Sequence, residues 1–189
     1  DASKGRDKLV VGIEGYTGIG KTTILKELAE RNRNIVAVNR DDFLKSRAIF
    51  ESLLKKEKDK SKLFEIGILN EKKLRSLVKA FQKNKKIYIT KIFNPVSGKM
   101  DIEKKYNLAK KVLVIEGIFL FHRLQADDIF DVRIFLEGDI EKANARRIKR
   151  EKGRWGEDYF PETHPDSYFK LVKIAFKRYL EKQKPKERV

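Results

Sequence analysis

At 189 residues the chain is long enough for one α/β domain with a sizeable core, and no Pro/Gly/Ser-rich linker divides it, so we expect a single domain over residues 1–189. Cysteine is absent, which excludes a disulfide framework and a thiolate metal site, and two histidines are too few to favour a histidine-built metal centre. The formal net charge is +17, but the lysines are spread through nearly every segment, which is more typical of a solvated surface than of a specific site.

No apolar run approaches the roughly 20 residues that a helix needs to cross a bilayer, and residues 1–8 are polar. We therefore expect a soluble, cytoplasmic protein without a membrane partner. The dispersed lysines disfavour nucleic acid as a partner, although the basic charge does not exclude it.

The first predicted element is a buried parallel strand over residues 9–13, which are apolar without polar alternation. Residues 15–22 then fit G-x-x-x-x-G-K-[ST] at every fixed position, and an amphipathic pattern predicts a helix over about residues 21–31. The backbone N–H groups of such a loop and the helix N-terminus form a cradle for phosphate oxygens. The candidate nucleotide-binding residues are Gly15, Tyr16, Thr17, Gly18, Ile19, Gly20, Lys21, Thr22 and Thr23.

Two side chains of this loop have specific expected roles. Lys21 can reach the β- and γ-phosphates, and the Thr22 hydroxyl is placed to ligate Mg²⁺. A glycine-rich turn with a chance lysine is the alternative, but it does not explain the flanking strand and helix. The sequence therefore predicts that the chain binds a nucleoside triphosphate.

A pair of acids, Asp41 and Asp42, follows a second predicted buried strand over residues 35–38. In a doubly wound sheet ligands bind outside the carboxyl ends of the strands, so we expect these acids beside the phosphate loop, where a phosphoryl-transfer base would be needed. The alternative is that one or both cap the following helix, since Asp is a favoured N-cap residue. With two acids, both roles can be filled.

The middle of the chain predicts structure rather than chemistry. Residues 44–63 have a helical pattern interrupted by the charge run 55–62, which we expect to be solvated or mobile. Asn70 is placed to cap a helix over residues 71–84 that carries one apolar stripe. Residues 86–93 alternate roughly with period two, which predicts a strand or hairpin with one wet face.

A third buried strand, over residues 112–117, brings Glu116 to its C-terminal end. A carboxylate there, across from Thr22, is suited to holding Mg²⁺ directly or through water. A buried glutamate without a task would be costly to desolvate, which favours a functional role. His122 lies in the apolar context FLFHRL and is expected to be a packing residue.

Residues 131–136 predict a fourth strand, and a strongly basic helix follows over residues 140 to about 152. Its cations are Arg146, Arg147, Lys149 and Arg150, with Arg154 just beyond. Guanidinium groups fit phosphate oxygens bidentately, which indicates a phosphate-binding helix, whereas the alternative is a solvated basic face. Gly153 and Gly156 indicate a hinge. An irregular segment over residues 158–166 and a final amphipathic helix over residues 168–179 complete the chain.

Taken together, GxxxxGKTT in the first loop, Asp41-x-Phe43, VLVIEGIF at residues 112–119 and DVRIFLEGDIEKANARRIKRE ending at Glu151 resemble the uridine kinase and phosphoribulokinase-like branch of P-loop kinases. The resemblance spans residues 9–154. It implies that Asp41 is the catalytic base and that Glu116 helps to hold Mg²⁺. It also implies a lid at about residues 144–157, in which Arg147, Arg150 and Arg154 close on the triphosphate.

The chain departs from uridine and cytidine kinases where those enzymes grip the nucleoside. A segment similar to His-Pro-Asp-Ala-Phe-Asp is replaced by LFEIGILNEKKL, and the Tyr-Asp…His…Arg stretch of the hairpin is replaced by IFNPVSGKMD. Fold and phosphoryl transfer therefore carry over better than uridine as the substrate.

These expectations combine into a three-layer P-loop fold: a mainly parallel sheet flanked by helices, with a side hairpin near the acceptor site. The expected reaction transfers the γ-phosphoryl group of ATP, with Mg²⁺, to a hydroxyl of a small molecule, first of all a nucleoside. The expected catalytic residues are Lys21, Asp41, Arg147 and Arg150. The alternatives are a kinase of another sugar or of a pantothenate- or glycerate-like alcohol, a polynucleotide 5′-hydroxyl kinase, and a non-catalytic ATP-binding module.

Overall fold

A parallel sheet of four strands lies at the centre of the computed structural model, which describes residues 8–156, 161–164 and 167–189. In chain order the elements are β1 (Leu9–Gly15), α1 (Lys21–Arg31), β2 (Ile35–Asn39), α2 (Arg47–Lys56), α3 (Lys60–Lys62), α4 (Glu71–Gln82), β3 (Ile87–Ile92), β4 (Ile102–Asn107), β5 (Val112–Gly117), β6 (Val132–Leu136), α5 (Ile140–Trp155) and α6 (Tyr168–Gln183). The sheet order is β2-β5-β1-β6 with every pair parallel, and β3 pairs with β4 as a separate antiparallel hairpin.

Helices cover both faces of the sheet because successive side chains of a strand point to opposite faces. On one face Val11 and Ile13 of β1 pack with Leu25 of α1. On the other face Val10 packs in a cluster that includes Leu77 of α4. The expected three-layer architecture with a mainly parallel sheet and a side hairpin is confirmed.

A buried carboxylate on β1 links the sheet to helix α6. Glu14 of β1 is fully buried, and its Oε2 accepts hydrogen bonds from the Tyr179 hydroxyl at 2.9 Å and from the Phe121 backbone N–H at 2.6 Å. Burial raises the pKa of Glu14 from 4.5 to about 7, against the lowering effect of those two hydrogen bonds. The sequence reasoning did not single out this residue.

The helical pattern over residues 44–63 is interrupted within the charge run 55–62, as expected. The structure divides it into α2, the short α3 and a π-helical turn over Leu63–Gly67. The charge run 55–62 is not solvated throughout, since Arg178 of α6 donates to Asp59 Oδ2 at 2.9 Å and to Ser61 Oγ at 3.0 Å. Helix α6, which is distant in sequence, therefore supplies a hydrogen-bond partner for the charge run that the local sequence does not reveal.

Two helix ends differ from the expected ones. Helix α4 ends at Gln82 instead of residue 84, where Asn84 has a left-handed φ of 57°. Helix α5 continues past residue 152, so Gly153 lies inside the helix, and the positive φ of 54° falls at the C-cap residue Gly156. The expected irregular segment 158–166 falls mostly outside the described residues.

Two further expectations are confirmed. The hairpin has one wet face, on which Ile87 and Ile89 are exposed, while Tyr106 on the opposite face is buried. His122 is a packing residue, because it is buried and its Nε2 lies 3.2 Å from Glu65 Oε1. Within the described ranges, no helix combines the length and the apolar character needed to span a membrane.

The raised pKa of Glu14 predicts a pH-dependent stability. Between pH 4.5 and about 7 the folded chain keeps a proton on Glu14 that the unfolded chain releases, so stability is lost as the pH rises through this range. Glu14→Gln keeps an acceptor oxygen but cannot ionise. We expect the free energy of unfolding of this variant, relative to the wild type, to rise by up to about 3 kcal/mol between pH 5 and pH 8.

Urea denaturation at the two pH values measures this difference. The same difference at pH 5 and pH 8 would contradict a buried Glu14 that titrates near neutrality.

Candidate active site

The Gly-rich loop between β1 and α1 has the backbone of a phosphate cradle. Gly18 has a φ of 77° and Gly20 a φ of 111°, a region that L side chains rarely adopt. A Cβ on Gly18 would also lie 2.6 Å from the carbonyl oxygen of Ala143 in α5. Glycine is therefore required at Gly18 both by its backbone angle and by the close approach of a helix.

Lys21 is buried beneath this loop. Its Nζ donates to the backbone carbonyl of Gly15 at 2.9 Å and to that of Tyr16 at 2.8 Å, which leaves the ammonium one further proton for a phosphate oxygen. Burial lowers the pKa of Lys21, and the nearby charges of Glu116 and Asp41 act in the opposite direction. A negatively charged ligand bound at the loop would likewise stabilise the charged form of the buried Lys21 side chain.

Thr22 and Glu116 meet across the sheet edge. The Thr22 hydroxyl donates to Glu116 Oε1 at 2.8 Å, and Glu116 is 3% exposed. Burial raises the pKa of Glu116, and the charges of Asp41 and Asp42 raise it further, so a cation at this point would be favoured. A hydroxyl and a carboxylate are oxygen ligands of the kind that Mg²⁺ prefers.

The described residues contain no cluster of three or more acidic or histidine side chains that could hold a metal alone. Thr22 and Glu116 would hold a Mg²⁺ ion together with oxygens of the phosphates and of water, which is the usual arrangement for this ion.

The two acids after β2 have different surroundings. Asp41 borders the cleft with its side chain 65% exposed, and Arg40 Nη1 lies 3.8 Å from its Oδ1. Asp42 Oδ2 accepts from Lys104 Nζ at 2.5 Å and from the Tyr106 hydroxyl at 2.8 Å, which fixes the loop to the hairpin. Both acids line the cleft, and Asp42 is in addition bonded to the hairpin, which gives it a structural role.

The alternative interpretation of these acids as helix caps is wrong for the turn that contains them. The N-cap of the 3₁₀ turn Arg40–Phe43 is Asn39, whose side chain accepts the backbone N–H of Asp41 at 2.8 Å. Asn39 takes this role because it directly precedes the first turn.

Helix α5 lies against the loop through two arginines. Arg146 Nε and Nη2 donate to the Gly18 carbonyl at 3.2 and 3.0 Å, and Arg147 donates to Thr17 Oγ1. Arg147 is buried and also stacks on the ring of Tyr168, with its Cζ 4.4 Å from the centroid. A solvated basic face is therefore wrong for Arg147, whereas Arg146 is exposed apart from its contact with Gly18.

The other two expected arginines of this helix are placed differently. Arg150 borders the cleft with its side chain 63% exposed, 3.7 Å from Glu151. Arg154 belongs to α5, but its side chain falls outside the described part of the structure.

A cleft of about 1550 Å³ connects these groups. Its lining from the loop and the strand ends comprises Thr17, Gly18, Gly20, Lys21, Thr22, Thr23, Asp41 and Glu116, and the lining from α5 includes Arg146, Arg147 and Arg150. A second group of lining side chains is largely aromatic and apolar: Phe50, Phe64, Ile68, Phe93, Pro95 and Tyr168. The cleft therefore extends from the cationic Gly-rich loop to these aromatic and apolar side chains, here called the aromatic chamber. Asp41 lines the same cleft.

Sequence reasoning missed the aromatic chamber and Arg146 as a loop contact. The chamber draws on α2, the π-helical turn, the hairpin and α6, which are far apart in the chain. The contact of Arg146 had a local signal, because Arg146 and Arg150 lie four positions apart and share one side of α5.

A sequence model described as the phosphoribulokinase/uridine kinase family matches residues 10–188. The chain belongs to this family. It is 28% identical over 180 residues to a uridine kinase of Clostridium novyi (strain NT), and this alignment covers 93% of this chain and 83% of the relative. It is 27% identical over 187 residues to a uridine kinase of Halalkalibacterium halodurans, and that alignment covers 95% of this chain and 83% of the relative.

The fold is similar to that of a solved structure. A structure of a possible uridine kinase from Bacillus stearothermophilus aligns with a TM-score of 0.70 over 98% of this chain and 88% of that chain, at 19% sequence identity. Membership of the phosphoribulokinase/uridine kinase family makes the protein a kinase.

The loop geometry predicts a specific effect of Gly18→Ala. Because the new Cβ would meet the backbone of Ala143 and φ is positive, the loop must move, and we expect nucleotide affinity to fall about 10-fold or more. Gly153→Ala is the matched control, since a Cβ there meets nothing within 4 Å and Ala is the better helix former. Titration calorimetry with ATP measures both; equal affinities for the two variants would contradict the constraint at Gly18.

Proposed function

We propose that the protein transfers the γ-phosphoryl group of ATP to a hydroxyl of a small molecule, with a nucleoside as the first candidate. The observation that carries this proposal is that Asp41 borders the same cleft as the Gly-rich loop and the Thr22–Glu116 pair. A carboxylate at that position is within the space where an acceptor hydroxyl would meet the terminal phosphate.

In this mechanism the loop residues, Gly15 to Thr23, bind the phosphates through their backbone N–H groups, and Lys21 donates to the β- and γ-phosphate oxygens. Thr22 and Glu116 would hold Mg²⁺, which when bound neutralises charge on the phosphates. The pairing of β1 with β5 and the Thr22–Glu116 hydrogen bond bring the lysine and the two proposed metal ligands together at one edge of the sheet.

Asp41 orients the acceptor hydroxyl and accepts its proton as the oxygen attacks the γ-phosphorus, and ADP leaves in line with the attack. Arg147 and Arg150 meet the negative charge that develops on the transferred group, and Arg154 follows four positions later in α5. We assign residues 144–157 to a lid that carries these arginines and closes on the triphosphate.

Two observations support a nucleoside as the acceptor. The similar relatives from Clostridium novyi and Halalkalibacterium halodurans are named uridine kinases. The cleft also presents the rings of Phe50, Phe64 and Tyr168, and such rings bind the flat face of a base by stacking.

A different sugar or small alcohol is the second candidate acceptor. It is favoured by the replacement of the segments with which uridine and cytidine kinases grip the nucleoside, here residues 63–74 and 92–101.

Acceptor-dependent release of ADP from ATP and Mg²⁺ tests the function. Using a panel of nucleosides, sugars, small alcohols and a short oligonucleotide, we expect turnover with at least one small molecule, and with a nucleoside above the others. A rate on the oligonucleotide that falls steeply with added salt would instead show a strand substrate, because phosphate contacts are salt-dependent. ATP binding without turnover on any acceptor would indicate a binding module.

The contrast between the two acids tests the mechanism. We expect Asp41→Asn to lower kcat about 10³-fold with unchanged ATP affinity, since it removes the general base and leaves the loop intact. Asp42→Asn is the matched control: it weakens the bonds to Lys104 and Tyr106, so it should lower the melting temperature more than kcat. Unchanged turnover in Asp41→Asn would remove Asp41 from the mechanism.

A further inference from the structure

Arg40 is a buried arginine without a hydrogen bond. It precedes Asp41 in the 3₁₀ turn after β2, and none of its surface is exposed. Within the part of the chain that the structure describes, its Nε, Nη1 and Nη2 are all buried and have no hydrogen-bond partner. A guanidinium normally uses five donors, so this environment is unusual for an arginine.

Such a residue is costly for the fold. Burial lowers the pKa of Arg40, which reflects the loss of solvation of its charge. Removing a buried charge whose nitrogens have no hydrogen-bond partner also removes the cost of its desolvation. Gly117 of β5 leaves space for this side chain, because a Cβ at Gly117 would lie 2.5 Å from Arg40 Cβ. The sheet edge therefore has space for the Arg40 side chain, although the burial of its charge does not stabilise the fold.

The charges around Arg40 show what it faces. Its guanidinium is attracted most strongly by Asp41 and also by the fully buried Glu14. Asp41 is largely exposed, and among the described residues Arg40 is the only cationic side chain with a nitrogen within 4 Å of its carboxylate, at 3.8 Å. Arg40 is thus buried next to Asp41 and does not line the cleft.

We propose that Arg40 is a positioning residue for Asp41: from inside the protein it holds the Asp41 carboxylate in the orientation that receives the acceptor hydroxyl. This inference rests on the proposed function, in which Asp41 is the base. Arg40 does not border the cleft and has no exposed surface, so it acts through Asp41 and not on the substrate. Orientation matters because a misplacement of about 1 Å can cost on the order of 10²-fold in rate.

Arg40→Met tests the proposal, since methionine fills the apolar space without a charge. We expect kcat to fall about 10²-fold, the ATP affinity to stay within about 2-fold, and the melting temperature to be equal to or higher than that of the wild type. Arg40→Lys, which restores a cation, should recover part of kcat. A structural role would not give lower turnover together with equal or higher stability.

Arg75→Met is the matched control. Arg75 is fully paired with Glu71 and Asp128, and it lies outside the cleft. Its removal should lower the melting temperature and leave kcat unchanged, which is the opposite of the result expected for Arg40.

A double-mutant cycle identifies the residue through which Arg40 acts. In the Asp41→Asn background we expect Arg40→Met to cost less than about 3-fold in kcat. An equal loss in both backgrounds, unchanged kcat in Arg40→Met, or a melting temperature that falls with kcat would overturn the proposal. If Asp41→Asn itself retains full turnover, the proposed function fails together with the inference; if Asp41→Asn is impaired and Arg40→Met is not, the inference alone fails.

Discussion

The parallel pairing of β1 with β5, and of β5 with β2, is the constraint on which the site depends. The register places Glu116 beside Ile13 on one side and Asn39 on the other. Because parallel strands end at the same edge, the Gly-rich loop, the Glu116 carboxylate and the acid after β2 leave the sheet together. The hydrogen bond of 2.8 Å between Thr22 and Glu116 is the direct result of this register.

Several buried charges lie along this edge, and they balance one another only in part. Lys21, Glu116, Glu14 and Arg40 are all less than a tenth exposed. Burial shifts the pKa of each group toward its neutral form, which shows that the fold supports charges it does not fully compensate. Uncompensated buried charges of this kind are found where a ligand supplies the missing charges. A triphosphate with a divalent cation would do so at Lys21 and Glu116. Arg40 differs, because its partner, Asp41, belongs to the chain itself.

The parts of the site that the sequence predicted are those that local patterns determine. The loop over residues 15–22, the four apolar strands and the position of Glu116 at a strand end all follow from short stretches of sequence. The structure confirms each strand and places Asp41 on the cleft.

The parts that the sequence did not predict depend on contacts between distant segments. Asp42 and Asp41 look equivalent in the sequence, and only the hairpin, through Lys104 and Tyr106, distinguishes them. Likewise, Asp59 lies in a run that looks solvated, yet α6 brings Arg178 to it. Arg40 gave no signal, because a single arginine beside an aspartate is ordinary until its complete burial is known.

The central claim is that a magnesium-bound triphosphate lies on the Gly-rich loop, with Thr22 and Glu116 at the cation. Titration calorimetry of a non-hydrolysable ATP analogue, with and without Mg²⁺, on the wild type and Thr22→Val tests it most directly. We predict that Mg²⁺ tightens binding to the wild type at least about 10-fold and has little effect on Thr22→Val, since the variant lacks the hydroxyl ligand. The same affinity with and without Mg²⁺ in the wild type, or no detectable binding, would contradict the claim.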